Sequence, residues 1–408
     1  MKIINLSENE YREYATENTN SNFGQSLEYS EIQNNVRKNR LFLGLIDSNE
    51  KLQAAALILI RNVTSFTKEA VAPNGYIIDS ANFDLVRKFT PLLKERWAKE
   101  HVTYLITNPM FKYRVYNKDN IIIQNNENIL TNLYNLNYKS IGYFSQFEKY
   151  DVIIENNISS NDIYRNFNRN TKRNIKEALN LGITLHKGTI DNLEEAYEIF
   201  KKKTKRKLSY YSDLMNIYNN KFNKMEIFFA RLSPHGYLVN SQKIYEQELE
   251  KNEQIHKTFN NNLGRVTEKQ LNKKINSDST VEKAKQELNK AIKLDQKYKE
   301  DIIVGTSIVI RNNHEIYFLI DGYKEEFRNV HSTHILKWAI IRKYYQLGYR
   351  VFNLGEIHKN YQDKNSKFYG QYMYKIGFGG NVIEYTPNLL LVINKPMYYL
   401  HKKFNRKK

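Results

Sequence analysis

The stretch of sequence that decides the fold is residues 367–385, which read KFYGQYMYKIGFGGNVIEY. Aromatic residues and glycines dominate it, and Lys375 lies near its centre. An isolated lysine is usually a solvated surface residue, but Gly377, Gly379 and Gly380 would let the backbone approach a substrate closely. We therefore favour a functional role for Lys375 over a purely structural one.

The part of the chain before this stretch is predicted to contain two blocks with the same order of secondary-structure elements. In the second block, residues 302–310 and 316–320 form a hairpin, residues 333–347 a helix, and residues 350–354 a strand. In the first block, residues 41–46 and 52–60 form a hairpin, residues 83–99 a helix, and residues 102–107 a strand. The repeated order predicts a duplicated fold of the α/β (α+β) class.

An insertion interrupts the second block at residues 241–300. It has no proline, a single glycine at Gly264, and many Lys, Glu, Gln and Asn residues. A heptad-spaced apolar seam predicts an antiparallel helical coiled-coil arm, with bends at residues 260–264 and 276–280. A partly disordered insertion is the alternative.

The composition predicts a cytoplasmic protein that can make peripheral contact with a membrane. The chain has 408 residues, no cysteine and a net charge of +19, from 63 basic against 44 acidic residues. The absence of cysteine excludes disulfide scaffolds, thiolate zinc sites and cysteine nucleophiles. No signal peptide or membrane span is recognisable. The basic excess favours nucleic acid or an anionic membrane as partner, and compositional drift explains it equally well.

Two clusters of basic residues stand out. A predicted helix over residues 163–181 carries five cations within one third of its circumference, a row that suits phosphate oxygens of RNA or of a precursor. These cations are Arg165, Arg169, Lys172, Arg173 and Lys176. The second cluster is the C-terminal tail, residues 401–408, which suits an anionic membrane surface. For both clusters, a merely solvated face is the alternative.

Known catalytic motifs are absent from the sequence. There is no GxSxG elbow, HExxH zinc motif, Walker loop or GxGxxG fingerprint. The histidines show no metal-ligand spacing, and no nucleophile or nucleotide site is convincing. An enzyme with this sequence would need substrates that arrive already activated.

Several segments, in order along the chain, resemble the Fem family, the nonribosomal peptidyltransferases that build peptidoglycan cross-bridges. The segments are the aromatic-Lys-x-Gly-Phe-Gly-Gly run at 374–380, Ile-Glu-Tyr at 383–385, Asn-Lys-Pro at 394–396, VFNLG at 351–355, FFARLSPHGYL at 228–238, and APNG at 72–75 followed by Asp79. Each segment alone is weakly specific, but together they span nearly the whole chain. The insertion also falls where the arm of the family members that act on lipid II lies.

The resemblance implies a fold and a reaction. The fold would be two tandem GNAT (acetyltransferase-like) domains, residues 1–148 and 149–387, with the arm inserted in the second and residues 388–408 packing back on the first. The reaction would move glycine, alanine or serine from aminoacyl-tRNA to the stem-peptide amine of lipid II or of UDP-MurNAc-pentapeptide, for interpeptide bridge synthesis. Because the aminoacyl ester is already activated, no cofactor, ATP or metal is expected. Self-association, or pairing with a second transferase, stays open.

The resemblance also assigns site residues. Lys375 would be catalytic, where donor and acceptor meet, with Tyr374, Phe378 and Gly379 beside it. The family's Arg and Tyr pair maps loosely onto Arg206, Lys207, Tyr210 and Tyr211.

Three positions depart from the family pattern. Asn108 replaces an Asp, Tyr29 replaces a Trp, and Gln33 replaces a Lys that meets precursor phosphate. Arg37 or Lys38 would have to substitute for that Lys. Asn108 cannot act as a base, and no general base is apparent.

Two other readings compete. A plain acetyltransferase would grip CoA with an [RQ]-x-x-G-x-[GA] loop, which is not found. A catalytically degenerate homologue that only binds RNA or a membrane is consistent with the losses at Asn108 and Gln33.

Overall fold

The computed structural model of the protein describes residues 1–34, 39–142, 149–155, 160–261, 266–312 and 314–405. Strands are numbered in chain order: β1 Lys2–Asn5, β2 Asn39–Ile46, β3 Leu52–Asn62, β4 Lys68–Ala72, β5 Tyr104–Thr107, β6 Lys112–Tyr116, β7 Ile122–Asn125, β8 Tyr138–Ser140, β9 Tyr150–Glu155, β10 Ile183–Lys187, β11 Lys224–Leu232, β12 Ile302–Arg311, β13 Glu315–Tyr323, β14 Val351–Ile357, β15 Asn381–Tyr385 and β16 Leu389–Val392. Together with the helices, they confirm the mixed α/β class.

The α-helices are numbered in the same way: α1 Glu8–Glu17, α2 Leu27–Asn34, α3 Phe83–Lys99, α4 Asn128–Asn135, α5 Ser160–Asn166, α6 Arg169–Asn180, α7 Leu193–Phe200, α8 Leu208–Ile217, α9 Pro234–Asn260, α10 Glu268–Lys297, α11 Ser332–Gln346, α12 Tyr369–Ile376 and α13 Lys395–Asn405. Within the described ranges, no helix is both long and apolar enough to span a bilayer.

The strands form two sheets of similar design. The first has the order β1-β2-β3-β4-β5-β16-β8, and the second has the order β10-β11-β12-β13-β14-β9-β15-β6-β7. In each sheet the first four strands are antiparallel and the fourth and fifth are parallel. The repeated order of hairpin, helix and strand in the sequence therefore reflects two units of the same topology.

The sixth strand of each sheet comes from an unexpected part of the chain. In the first sheet, β16 lies between β5 and β8, although it is the last strand in sequence. In the second sheet, β9 lies between β14 and β15, although it directly precedes the second unit. Helix α13 continues from β16 and packs on the first sheet, with the rings of Tyr104 and Tyr398 5.5 Å apart. Each sheet is thus completed by a strand that is distant in sequence.

The expected boundary at residues 148 and 149 does not separate the two sheets cleanly. Strands β6 and β7 precede it but extend the second sheet, because β6 pairs with β15. After β5 ends at Thr107, the chain crosses to the second sheet and then returns through α4 to β8. The two units are therefore joined by several crossings.

Each sheet packs its own helices over an apolar core. Helix α3 has the bounds that its apolar spacing predicts, and it buries Phe89, Leu93 and Trp97 against the first sheet. Helices α6 and α11 bury Ile175 and Leu336 against one face of the second sheet. Burial of each such side chain stabilises the fold by about 1.5–3 kcal/mol.

The helix expected over residues 163–181 is two helices, which is a correction. Helix α5 ends at Asn166, and Asn168 caps α6 by accepting a hydrogen bond from the backbone N of Thr171 at 2.7 Å. The backbone N of Asn168 donates to the carbonyl of Gly377 at 2.9 Å. The cap breaks the continuous helix, so the five cations do not share one helical face.

The insertion forms two long helices, α9 and α10, that lie antiparallel to each other. Side-chain hydrogen bonds join them at both ends: Asn252 donates to Asp278 at 2.7 Å, and Tyr237 donates to Glu287. The expected bend at 276–280 is wrong, because α10 is continuous there and Asp278 accepts hydrogen bonds from Asn252, His256 and Lys274. Part of the other expected bend, residues 262–265, lies outside the described residues. Coiled-coil geometry for the arm stays a prediction.

Candidate functional site

The second sheet is open between its two parallel strands. β13 and β14 pair only at Glu315↔Val351, Ile316↔Phe352 and Tyr317↔Asn353. Beyond these pairs β13 continues to Tyr323 and β14 to Ile357, without further pairing to each other. The two strands therefore diverge and leave an opening in the sheet.

The amine of Lys375 lies at this opening. Helix α12 carries Lys375 in its last turn, and the side-chain nitrogen donates to the backbone carbonyl of Glu356 at 2.8 Å. Burial, followed by the charge of Lys337, lowers the pKa of Lys375 to about 8. At neutral pH this amine is still largely a cation, and it can donate hydrogen bonds to an oxygen that develops negative charge.

Gly355 makes room for this amine. It has a φ of +84°, and a Cβ there would lie 3.2 Å from Nζ of Lys375 and 3.2 Å from the carbonyl oxygen of Phe318. Only glycine adopts this backbone conformation at little cost. A Cβ at this position would therefore require the lysine amine to shift by a few tenths of an ångström.

A buried ion pair lies beside Lys375. Lys337, in the middle of α11, is fully buried, and its Nζ lies 2.8 Å from a carboxylate oxygen of Asp321 on β13. Ser307 donates to the other oxygen of Asp321 at 2.6 Å. Burial lowers the pKa of Lys337. For Asp321, burial acts to raise the pKa, but Lys337 and Ser307 outweigh it and the net shift is downward.

A large cavity lies between the two sheets. Its volume is about 1020 Å³, at the upper end of the range for ligand sites. The first sheet and its loops contribute Asn74, Tyr76 and Asn108 to the lining, and the second contributes Asp151, Glu315, Tyr317, Asn353, Glu356 and Tyr385. Because Glu356 lines the cavity and its carbonyl binds Lys375, the cavity and the opening meet at this residue.

Carboxylates concentrate in the cavity although the protein is strongly basic. Asp151 and Glu356 are direct partners on the adjacent strands β9 and β14, and Glu315 lies on β13. Burial, followed by the charge of Asp151, raises the pKa of Glu356 to about 7 and that of Glu315 to about 7. An acidic wall of this kind favours a cationic ligand.

The cavity also contains groups that hydrogen-bond within the protein. Lys149 donates to the backbone carbonyls of Asn108 and Pro109, and burial lowers its pKa. The side chain of Asn108 accepts from the backbone N of Asn74 at 2.5 Å and donates to its side-chain oxygen at 2.7 Å. Asn108 thus fixes the loop after β4, a structural role in place of the missing carboxylate.

The structure separates the cations expected to form one row. Arg165 is exposed on α5, pairs with Asp162 at 2.9 Å, and accepts a hydrogen bond from Lys172 through its carbonyl at 2.6 Å. Arg173 lies 3.6 Å from Glu177. Arg169 and Lys176 are exposed on α6. The row remains a candidate binding surface in two pieces.

The loosely mapped Arg and Tyr residues lie at the start of α8. Arg206 is exposed and stacks on the ring of Tyr210 at 4.7 Å, and Lys207 is exposed. Tyr211 is buried and donates to Thr204 at 3.0 Å. Tyr210 packs against the same apolar cluster as the cavity residue Tyr317. The Arg206–Tyr210 pair therefore lies near the cavity, and Tyr211 serves packing.

The residues that flank Lys375 make packing contacts within the protein, and a role for them in substrate binding stays a prediction. Phe378 is buried against Phe167, with ring centroids 5.2 Å apart. Gly377 and Gly379 allow close packing on the α5–α6 junction, where a Cβ on Gly379 would lie 2.8 Å from the carbonyl oxygen of Asn166. A Cβ on Gly380 would lie 2.8 Å from the carbonyl oxygen of Ile153. The close approach that these glycines permit in this structure is to other parts of the chain.

Tyr374 is half-buried, donates to the carbonyl of Thr333 at 3.1 Å, and has its ring 5.7 Å from Nζ of Lys337. Arg37 and Lys38 lie outside the described residues, as does the side chain of Gln33. Within the described ranges, no cluster of three or more His, Asp or Glu side chains could hold a metal ion.

Sequence reasoning missed the groups around Lys375. Asp151, Glu356 and Asp321 each interrupt a largely apolar strand, and Lys337 interrupts an apolar helix face. A charged residue in such a position is rarely buried unless it is paired or functional. That signal was present in the sequence, but only the fold brings these residues together.

Two sheets of the same topology, a lysine in the opening of one of them and a cavity lined by both make up the candidate site. The FemAB family model matches residues 6–406. The chain belongs to the FemAB family.

Individual relatives agree with this assignment. Aminoacyltransferase FemA of Staphylococcus epidermidis is 24% identical over 421 residues, which cover 100% of both chains. Aminoacyltransferase FemA of Staphylococcus aureus strain MRSA252 is 21% identical over 412 residues, which cover 98% of this chain and 97% of that protein. A crystal structure of FemX superimposes with a TM-score of 0.73 at 16% identity, over 98% of this chain and 99% of that one.

Proposed function

We propose that this protein transfers glycine, alanine or serine from aminoacyl-tRNA to the stem-peptide amine of lipid II, for interpeptide bridge synthesis. The observation that carries the proposal is the position of Lys375, in an opening that meets the acidic cavity at Glu356. FemAB membership and the name aminoacyltransferase, borne by both FemA relatives, support it.

The donor would approach from the side of the second sheet that carries α6, α11 and α12. Lys375 would donate a hydrogen bond to the carbonyl oxygen of the aminoacyl ester as negative charge develops there. The exposed cations of α6 would contact RNA phosphates. The ester is already activated, so the reaction is proposed to need no cofactor, ATP or metal.

The acceptor would occupy the cavity between the sheets. Its amine would face Asp151 and Glu356, and a cavity of about 1020 Å³ can hold a peptide of several residues. Arg206 and Tyr210 would contact the part of the acceptor outside the cavity. Lys402 and Lys403 on α13 would give peripheral contact with the anionic inner face of the membrane.

The test incubates the purified full chain with lipid II and a panel of radiolabelled aminoacyl-tRNAs and measures label in the lipid. We expect transfer from one or two of the tRNAs carrying glycine, alanine or serine. UDP-MurNAc-pentapeptide replaces lipid II in a parallel reaction and distinguishes the two acceptors. Labelled acetyl-CoA is the matched donor control, and transfer from it alone would favour a plain acetyltransferase. Failure of every aminoacyl-tRNA with both acceptors would contradict the proposal.

A further inference from the structure

Glu356 occupies the point where the opening and the cavity meet. Its neighbours on β14, Gly355 and Ile357, are buried, whereas its own side chain lines the cavity, where it is accessible to a ligand but surrounded by protein. Its backbone carbonyl accepts the hydrogen bond from Lys375 at 2.8 Å. A group that meets Lys375 through the opening would therefore come within reach of the Glu356 carboxylate.

Glu356 differs from the other carboxylates of the cavity in its partners. Asp151 accepts a hydrogen bond from Asn353 at 3.1 Å, Glu155 pairs with Lys112 at 2.7 Å, and Glu69 pairs with Arg61 at 2.7 Å. At Glu315, burial raises the pKa, and the side chains of Asn312 and Asn353 act in the opposite direction. Among the residues that the structure describes, no hydrogen bond or ion pair engages the Glu356 carboxylate.

An acidic residue lies directly opposite this carboxylate. Asp151 is directly opposite Glu356 on β9, and like charges in directly opposed positions repel each other. Lys149 is nearby, but it donates to the carbonyls of Asn108 and Pro109. A ligand ammonium group between the two carboxylates would relieve their repulsion.

We propose that Glu356 binds the acceptor amine and takes its proton, with Asp151 as a positioning residue. This inference rests on the proposed aminoacyl transfer. The acceptor enters as an ammonium ion and gives one proton to Glu356. Its nitrogen then attacks the ester carbonyl carbon, the N–C bond forms, and the C–O bond to the tRNA ribose breaks. The second proton of the amine passes to the leaving ribose oxygen, and Glu356 releases its proton to solvent.

The charges that face Glu356 suit this task. Burial and Asp151 raise its pKa to about 7, and Lys375 and Lys149 act in the opposite direction. On β13, Tyr317 and Glu315 face the same region, since Glu356, Asp151 and Glu315 contribute to the raised pKa of Tyr317. A base whose pKa lies near the working pH is the most effective proton acceptor.

The test compares Glu356→Gln with the wild type, with Glu127→Gln as control, because Glu127 is an exposed carboxylate outside the cavity, paired with Arg114. We expect kcat to fall by about 10² or more, with KM for the aminoacyl-tRNA within about threefold. The wild-type rate should rise with pH through about 7, and Glu356→Gln should lose that inflection. Glu356→Asp retains a carboxylate and should retain the inflection.

A binding measurement separates this inference from the proposed function. Calorimetry compares a peptide that has a free lysine side-chain amine with the same peptide acetylated on that amine. We expect the wild type to prefer the free amine by about tenfold, and Glu356→Gln to lose this preference. If the wild type transfers amino acid and Glu356→Gln keeps kcat within about threefold, the inference is wrong and the proposed function stands. If the wild type transfers no amino acid at all, the proposed function fails. If the wild type also binds the free and the acetylated peptide with equal affinity, the inference about Glu356 is wrong as well.

Discussion

The two sheets of this protein share a topology but differ at their parallel strands. In the first sheet, β4 and β5 pair from Glu69↔Tyr104 to Ala72↔Thr107, along nearly their whole length. Asn108 then fixes the following loop through Asn74. In the second sheet, β13 and β14 separate after three pairs, and Lys375 lies where they part. The two parallel strands are therefore paired along most of their length in the first unit, which we call closed, and separate after three pairs in the second unit, which we call open.

The two units therefore contribute different groups to the candidate site. The first unit contributes Tyr76, Asn108 and Glu69 to the cavity wall, and the Glu69 carboxylate is already paired with Arg61. The open edge of the second sheet contributes Glu356 to the cavity, and Lys375 and the buried Lys337–Asp321 pair lie beside it. A duplicated fold can therefore use one copy for the reaction and the other as a rigid wall for the substrate.

The largest effect is expected for Lys375→Ala, which removes the amine at the opening of the second sheet. We expect kcat for aminoacyl transfer to fall by about 10²–10³, the usual loss when one oxyanion donor is removed. The fold should persist, because in the described structure the side chain makes a single hydrogen bond, to the Glu356 carbonyl. Lys139→Ala, which removes an exposed lysine from β8 of the first sheet, should leave kcat unchanged. Full activity of Lys375→Ala would remove the functional distinction between the sheets.

The buried pair behind the opening gives a stability prediction. Asp321→Asn leaves Lys337 buried without a counter-charge, which typically costs 3–5 kcal/mol. We expect about 2–3 kcal/mol, because burial already lowers the pKa of Lys337 and the amine can lose its proton. Urea unfolding measures the loss.

The matched control is Asp84→Asn in the first unit, which removes an exposed pair with Arg87 and should cost about 0–1 kcal/mol. The Asp321 carboxyl has a lowered pKa, so its contribution is present above the unfolded pKa and is lost as pH falls. Equal losses of unfolding free energy for Asp321→Asn and Asp84→Asn would show that the buried Lys337–Asp321 pair stabilises the protein no more than an exposed pair does.

The pH dependence of stability should differ between the two sheets because of Glu315, which lies on β13 of the second sheet. Its pKa is raised to about 7, so the folded state binds more protons than the unfolded state between about pH 4.5 and 7. Its contribution to the free energy of unfolding therefore falls as pH rises through this window. Glu315→Gln should raise Tm at pH 8 more than at pH 5. Glu69→Gln in the first sheet removes an ion pair with Arg61 and should not raise Tm at either pH.

The smallest effect is expected for Asn108→Asp, which restores the carboxylate of the family pattern. The aspartate cannot donate to the side-chain oxygen of Asn74, so we expect a loss of about 1 kcal/mol in thermal unfolding. The rate of transfer should stay within about threefold of wild type, because Asn108 fixes a loop of the closed unit. A large gain in the rate of transfer would contradict this expectation and indicate that a carboxylate at position 108 accepts a proton in the reaction.

Elements with strong local patterns were predictable from the sequence. Helix α3 and the hairpins of both units lie where their apolar spacing places them. The helix break at Asn168 was missed, because cap and interior residues look alike in a polar stretch and the carbonyl that holds Asn168 comes from distant Gly377. Local periodicity cannot report a contact of that range.

The site was predictable only in part. The Fem-like motif singled out Lys375, and the structure places that residue at the opening. Asp151, Glu356 and Lys337 come from three separate elements, and their proximity depends on strand order and on the divergence of β13 and β14. Phe378 and Gly379 adjoin Lys375 in the chain but face the α5–α6 junction. Neighbours in sequence were thus poor guides to neighbours in space.

The place of β16 between β5 and β8 has a consequence for biosynthesis. The ribosome makes β8 before any part of the second sheet except β6 and β7, and it makes β16 after all of that sheet. A nascent chain therefore has a gap in its first sheet until β16 has been made. The first sheet cannot be completed by the N-terminal half of the chain alone. A chain that stopped before Leu389 would leave the edges of β5 and β8 unpaired, although every strand of the second sheet would be present.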